Sequence, residues 1–175
     1  MDTAWELFTN GLRQMLNCEE QLIRVLAEAE SESNDEMLRS AFAEHRKQTE
    51  GHALRLTSIF RDLGETPEQG DCHGVEGLKE EKKAILKEHP SKELLDFINV
   101  NSGIKAERYE MSAYEELMLL ARELGALNAA QQLKQNYDEE QETLDKLRGF
   151  INKVKPEKLG IKGEKPEGGI PRKIA

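Results

Sequence analysis

Residues 38–63 read LRSAFAEHRKQTEGHALRLTSIFRDL. Leu38, Phe42, Leu56, Ile59, Phe60 and Leu63 recur at the three-and-four spacing of one helix face. His45, Thr49 and His52 stand on that same face, in the middle of the apolar stripe. A buried stripe interrupted by imidazoles needs partners for them, because an unsatisfied polar group in a core costs free energy. The segment therefore predicts a helix over about 35–63, with the partners supplied by other helices.

Those helices are legible on both sides. Residues 4–30 carry the stripe Trp5, Phe8, Leu12, Met15, Leu16, Glu19, Leu22, Ile23 and Leu26. Thr3 and Glu6 have capping-box spacing before it, and Ser33 and Glu36 repeat that spacing before the second helix. The tight turn over 31–34 predicts an antiparallel hairpin. Gly64 is the expected stop of the second helix, and Pro67 follows it. Ser91 caps a third long helix over 91–124, with Val100, Gly103, Ile104, Glu107, Met111, Tyr114, Met118 and Ala121 on one face. Leu94, Ile98, Leu119 and Leu120 lie on its other side, so it needs two neighbours, the second being the connecting segment or another subunit. Gly125 stops it, and a fourth helix over 126–152 carries Leu133, Asn136, Tyr137, Glu140, Leu144, Leu147 and Ile151.

Residues 64–90 are too long for a turn. Gly64, Pro67, Gly70 and Gly74 mark a loop, and 75–88 form a short Glu- and Lys-rich helix before Pro90. Two antiparallel hairpins joined by a crossover with a short extra helix make an all-α, ferritin-like four-helix bundle over residues 1–152. Residues 153–175, dominated by Gly, Pro and Lys without a stripe, are expected to form a flexible basic tail.

Composition excludes several classes of function. A formal charge of -9 argues against nucleic acid as a partner, since a phosphate backbone demands a basic face. No apolar run approaches the ~20 residues of a membrane span, and the first residues lack the basic start and apolar stretch of a signal peptide. A cytoplasmic protein is expected. The cysteines Cys18 and Cys72 form no disulfide framework and no CxxC pair. Cys18 reads as a small helix residue, and Cys72, beside His73, as part of a surface loop. No glycine-rich phosphate loop or Ser/His/Asp arrangement is present.

The polar positions on the four stripes are Glu19, His45, His52, Glu107, Glu110 and Glu140. Glu19 and His45 stand about equally far from the first turn, and Glu110 and Glu140 from the last, so both pairs fall near mid-bundle. Carboxylates and imidazoles converging from four helices are the ligand types for iron or manganese, as one ion or two. Glu-x-x-His, the usual element of a two-metal bundle site, is absent; Glu107 and Glu110 supply Glu-x-x-Glu. In the metal-free alternative, His45 or His52 bonds to Glu19 or Glu140 and satisfies both. Glu110 lies at the edge of its stripe and reads as a solvated or salt-bridged residue. In the run Asp138-Glu139-Glu140-Gln141-Glu142 only Glu140 aims inward. Lys47 and Glu50 point to the surface, and Tyr114 and Tyr137 point inward as packing or as donors to the carboxylates.

Cys18-Glu19-Glu20-Gln21-Leu22, Phe42-Ala43-Glu44-His45 with Thr49 and Gly51, the CHGVEGL run from Cys72 to Leu78, Glu107-Arg108-Tyr109-Glu110 with Ala113-Tyr114, and Asp138-Glu139-Glu140 with Lys146-Leu147 occur in that order. Together they resemble the YciE/YciF-type ferritin-like stress proteins over roughly residues 5–150. The resemblance implies a rubrerythrin-related bundle, a homodimer, a role in bacterial stress and a dinuclear, di-iron-type carboxylate centre. It matches Glu19, Glu107, Glu110 and Glu140 to the family's acidic positions. Lys47 and Gln48 stand where that family carries a Glu pair, and His52 where it carries Gln, so His52 would bring a compensating nitrogen ligand. The resemblance supplies no reaction. The two functions in view are a metal-dependent peroxide or oxygen oxidoreductase and a metal-free structural or interaction bundle.

Overall fold

The computed structural model describes residues 1–160, so most of the expected tail lies outside the described residues. The helices are α1 (Ala4–Glu32), α2 (Glu36–Asp62), α3 (His73–Leu86), α4 (Lys92–Glu123) and α5 (Leu127–Lys153). A 3-10 turn, Pro156–Leu159, follows and lies against α4, inside the stretch expected to lack structure. Among the described residues there is no strand, and no helix is long and apolar enough to cross a membrane.

The caps explain the limits of the helices. Thr3 Oγ1 accepts from the Glu6 N–H at 3.1 Å, and Glu6 returns a carboxylate oxygen to the Thr3 N–H at 3.1 Å, the expected capping box. The second expected box does not form. Ser33 instead ends α1, its hydroxyl donating to the Ala29 carbonyl at 2.7 Å. Asp35 caps α2, accepting from the N–H groups of Met37 at 2.9 Å and Leu38 at 3.1 Å. Its carboxylate also meets the positive end of the helix dipole, which a hydroxyl cannot exploit. Gly64 and Gly125 follow α2 and α4 with φ of 73° and 74°, the left-handed conformation that stops a helix.

Loop contacts fix the topology. The N–H groups of Asn34 and Asp35 donate to Asp96 at 2.8 and 3.2 Å, so the α1–α2 turn shares an end with the start of α4. Asp62 accepts from Asn128 at 2.7 Å and Gln132 at 3.2 Å, which joins the end of α2 to the start of α5 at the other end. The chain must therefore travel the bundle's length between α2 and α4. It does so along α1: the Gly70 N–H donates to the Arg13 carbonyl at 2.9 Å, Lys79 to Gln21 at 2.9 Å and Lys82 to Glu32 at 2.9 Å. α3 starts against Tyr109, where a Cβ on Gly74 would come within 2.3 Å of the ring, so only glycine fits.

Around the bundle the order is α1, α2, α5, α4, each in contact with the next and α4 with α1. α3 packs on α4 and α1 and supplies the second neighbour that α4 needs. The residues it covers are not all those expected. Val75 and Leu78 meet the cluster that includes Ala106, Tyr109 and Ala113, whereas Leu94 is 36% and Leu119 57% exposed. Trp5, expected on the stripe of α1, is also 36% exposed and tilts against Phe8. The apolar core falls into two clusters. The larger contains Phe8, Leu12, Leu56, Ile59, Phe60 and Leu133; the smaller contains Leu26, Leu38, Phe42, Val100 and Leu147. A polar layer lies between them.

Candidate metal centre

Each imidazole of the layer faces one oxygen of Glu140. His52 Nδ1 is 2.8 Å from Glu140 Oε1 and 3.5 Å from Glu19 Oε2. His45 Nε2 is 3.7 Å from Glu140 Oε2 and 3.0 Å from Glu107 Oε1. Two three-residue groups result, Glu19–His52–Glu140 and His45–Glu107–Glu140, with ligand atoms within 4.8 Å of one another and every member buried. One carboxylate shared between two such groups is the arrangement of a bridging ligand.

Glu19 was expected beside His45 and pairs with His52. With the turn centred on Asn34, Glu19 stands level with Thr49, between the two histidines. Helical side chains lean toward the N-terminus of their own helix. In an antiparallel pair this brings Glu19 and His52 together and tips His45 away toward α4. Thr49 takes no part, since its hydroxyl donates to the His45 carbonyl at 3.0 Å. Glu110, expected to be solvated or salt-bridged, is only 1% exposed because α3 closes that side of α4. It accepts from the Cys18 thiol at 4.0 Å and belongs to neither group. Cys72, expected in a surface loop, is buried at the start of α3, its sulfur 3.5 Å from the Tyr109 hydroxyl.

A chain of hydrogen bonds backs the His52 group. His52 Nε2 lies 2.9 Å from Glu139 Oε2, and Arg55 donates to that oxygen at 2.5 Å. Arg55 Nε donates to Asn136 Oδ1, Asn136 Nδ2 donates to the Tyr114 hydroxyl at 2.9 Å, and that hydroxyl donates to Glu19 Oε1. The loop of contacts thus returns to the group it started from, through all four long helices. A carboxylate behind a histidine fixes its tautomer and raises its basicity as a ligand. Reading Glu139 as solvated misses this. The available signal was Arg55 and Glu139, each one turn from an inward residue on facing helices. His45 is backed only by the Thr143 hydroxyl, 3.2 Å from Nδ1. Of the two tyrosines expected to point inward, Tyr114 does; the Tyr137 hydroxyl donates to Glu115 at 3.0 Å on the exposed side.

Burial and crowding shift the acid–base behaviour of the layer. Burial raises Glu19, pushes Glu107 up to about 8 and Glu140 to about 7, with nearby His52 opposing each rise. Burial, with Glu140 and Glu19, holds Glu110 well above the carboxylate range. Burial works against the imidazolium of His52, but Glu19 and Glu140 outweigh it and lift the group to about 11. At His45 burial wins over Glu140, and the ring is held below its usual value. Among the described residues Glu19 Oε2, Glu107 Oε2, both Glu140 oxygens and His52 Nδ1 are buried without a well-aligned hydrogen bond, although all but Glu107 Oε2 lie within ion-pair distance of an opposite group. A buried polar atom left with no partner at all costs about 1–3 kcal/mol. Hard oxygens and imidazole nitrogens converging with unused lone pairs fit a divalent iron or manganese ion.

Residues 3–160 match the family described as a domain of unknown function (DUF892). The chain is 31% identical over 156 residues to the protein YciF of Escherichia coli strain K12, covering 88% of this chain and 94% of that one. The crystal structure of the E. coli stress protein YciF superposes with a TM-score of 0.82 at 30% identity, over 88% of this chain and all (100%) of that one. YcfI of Rhodopseudomonas palustris, put forward as a structural protein, superposes equally well, with a TM-score of 0.82 at 28% identity over 88% of this chain and 96% of that one. The matched residues span the whole bundle and every residue of the polar layer, and the chain belongs to the DUF892 family of YciF-like proteins.

Proposed function

We propose that this protein is a ferritin-like stress protein whose polar layer holds iron or manganese, with Glu19, His52 and Glu140 around one position and His45, Glu107 and Glu140 around the other. The observation that carries the reading is the shared Glu140, whose two oxygens are both buried, lack a well-aligned hydrogen bond among the described residues, and face different imidazoles. Bound there, such ions supply redox chemistry toward peroxide or dioxygen. The protein's own part is positional. Glu139 and Arg55 fix the His52 ring, Tyr114 holds one oxygen of Glu19 and leaves the other toward His52, and apolar clusters pack on either side of the layer. A role in stress is supported by the likeness to YciF, a stress protein. Homodimerisation, implied by the same resemblance, is part of the proposal and is read by sedimentation.

The test is elemental analysis of protein purified without chelator, beside a Glu19→Gln/Glu140→Leu double variant. About one to two ions of iron or manganese per chain, lost in the double variant, is the expected result. A metal-free structural bundle is the second reading, favoured by the close approach of His52 to Glu19 and Glu140, which can neutralise one another. It requires that no metal enter even after anaerobic loading with ferrous or manganous ion.

A further inference from the structure

A cavity of about 410 Å³ lies between α1, α3 and α4, on the His45 side of the polar layer. Its lining passes from exposed residues such as Glu28 and Lys83 to the buried His45, Glu107 and Glu110. Leu22, Val25, Leu26, Phe42, Leu78 and Ala106 form apolar walls. Asn99 is the exception on those walls. It is 2% exposed, and neither its amide nitrogen nor its oxygen has a partner among the described residues. A buried primary amide with both functions unused is costly, and nothing in the polar layer uses it. It stands two turns of α4 before Glu107, ~12 Å by the helical rise, with Ser102, Gly103 and Ala106 on the same lining between them. Of the lysines nearby, Lys79 donates to Gln21 and Lys82 to Glu32, each at 2.9 Å, and the exposed Lys83 lies 3.8 Å from Glu80.

A chamber of this size with apolar walls and a few placed polar groups is the usual form of a small-molecule site. We infer that the cavity binds a neutral, mainly apolar molecule carrying one hydrogen-bonding head, such as a primary amide or an alcohol. The head meets Asn99, which offers both donor and acceptor, and the apolar part lies along Ala106 toward Glu107 and His45. An anionic head at Asn99 could use only the amide N–H2 and would leave the amide oxygen without a donor. The chamber's role as a substrate site rests on the metal reading; its occupancy does not.

Hexanamide and toluene are the probes, titrated into chelator-treated and manganese-loaded protein and followed by amide shifts in nuclear magnetic resonance. Hexanamide is expected to saturate a single site in the chelator-treated protein. Ser102→Phe and Leu78→Trp, which fill the cavity from opposite helices, should each weaken it at least tenfold. Asn99→Leu should weaken hexanamide about tenfold and leave toluene, which has no hydrogen-bonding group, bound as before. Failure of hexanamide to saturate would overturn the inference, as would wild-type affinity in both filling variants. Equal loss of hexanamide and toluene in Asn99→Leu would overturn the assigned role of Asn99. Metal content, measured on the same samples, decides the metal reading separately.

Discussion

His52 and His45 stand two turns apart on α2 and face the two oxygens of Glu140, but what lies behind each ring differs. His52 is backed by Glu139, which Arg55 grips, and the chain continues through Asn136 and Tyr114 to Glu19. His45 has one hydroxyl behind it and a cavity beside it. Glu19 and Glu140 lift the first ring to about 11 against the effect of burial, whereas burial holds the second below its usual value. A polar layer of near-identical ligand types is thus built as one rigid position and one accessible position. Under the metal reading, the His52 position retains its ion and the His45 position exchanges it.

The largest effect expected from this asymmetry is on stability. In chelator-treated protein, His52→Ala removes the cation facing Glu19, Glu139 and Glu140 and should cost about 3–5 kcal/mol, the range for breaking a buried charge pair. His45→Ala should cost about 1–2 kcal/mol, as an ordinary core truncation. Equal costs in urea unfolding would remove the asymmetry. Next comes metal affinity. Glu139→Gln should weaken manganese binding at the His52 position about 10–100-fold, while Thr143→Val should weaken the His45 position less than tenfold. Competition titration with a chromophoric chelator separates the two.

The pH dependence follows from the same groups. Glu140 and Glu107 have folded-state values raised to about 7 and about 8. A raised carboxyl keeps its proton in the folded protein after the unfolded chain has lost it, so its stabilisation is present below the unfolded value of about 4.3 and lost as pH rises. Metal-free stability should therefore fall as pH rises through that window up to about 8, by at most about 1.4 kcal/mol per pH unit for each group. His52 acts in the same direction at higher pH, its contribution being lost as pH rises through about 11. His45, lowered, acts oppositely and costs stability as pH falls below its unfolded value of about 6.5. Glu107→Gln should flatten the fall on the His45 side; a rise through the window would contradict the assignment. The smallest effect belongs to Tyr114→Phe, which cuts the link to Glu19. It should cost about 1 kcal/mol and leave the His45 position untouched.

How far the sequence foretells this arrangement depends on whether a contact is local. Thr3, Gly64 and Gly125 act within a few residues, and the helix ends they mark are where the sequence puts them. Glu19, His45, His52 and Glu140 stand out because each interrupts an apolar stripe. Ser33 and Asp35 compete for one cap two residues apart, and spacing alone favoured the wrong one. Glu110 reads as an edge residue on its own helix; only the packing of α3, which no helical period records, buries it. Glu139 and Arg55 lie on polar faces and matter through a contact between helices distant in sequence. The buried carboxylates and imidazoles were visible as anomalies within a stripe, and so was Tyr114, expected as a donor to them; Glu139 and Arg55 were not, since a polar residue on a polar face is no anomaly.

The most direct test is anomalous diffraction at the manganese edge from crystals grown with manganous ion and without chelator. The account predicts two peaks bridged by Glu140, one ligated by His52 Nδ1 and the other by His45 Nε2, with the second weaker after brief chelator exposure. No peak in the polar layer, or a single peak that Glu140 does not touch, would contradict it.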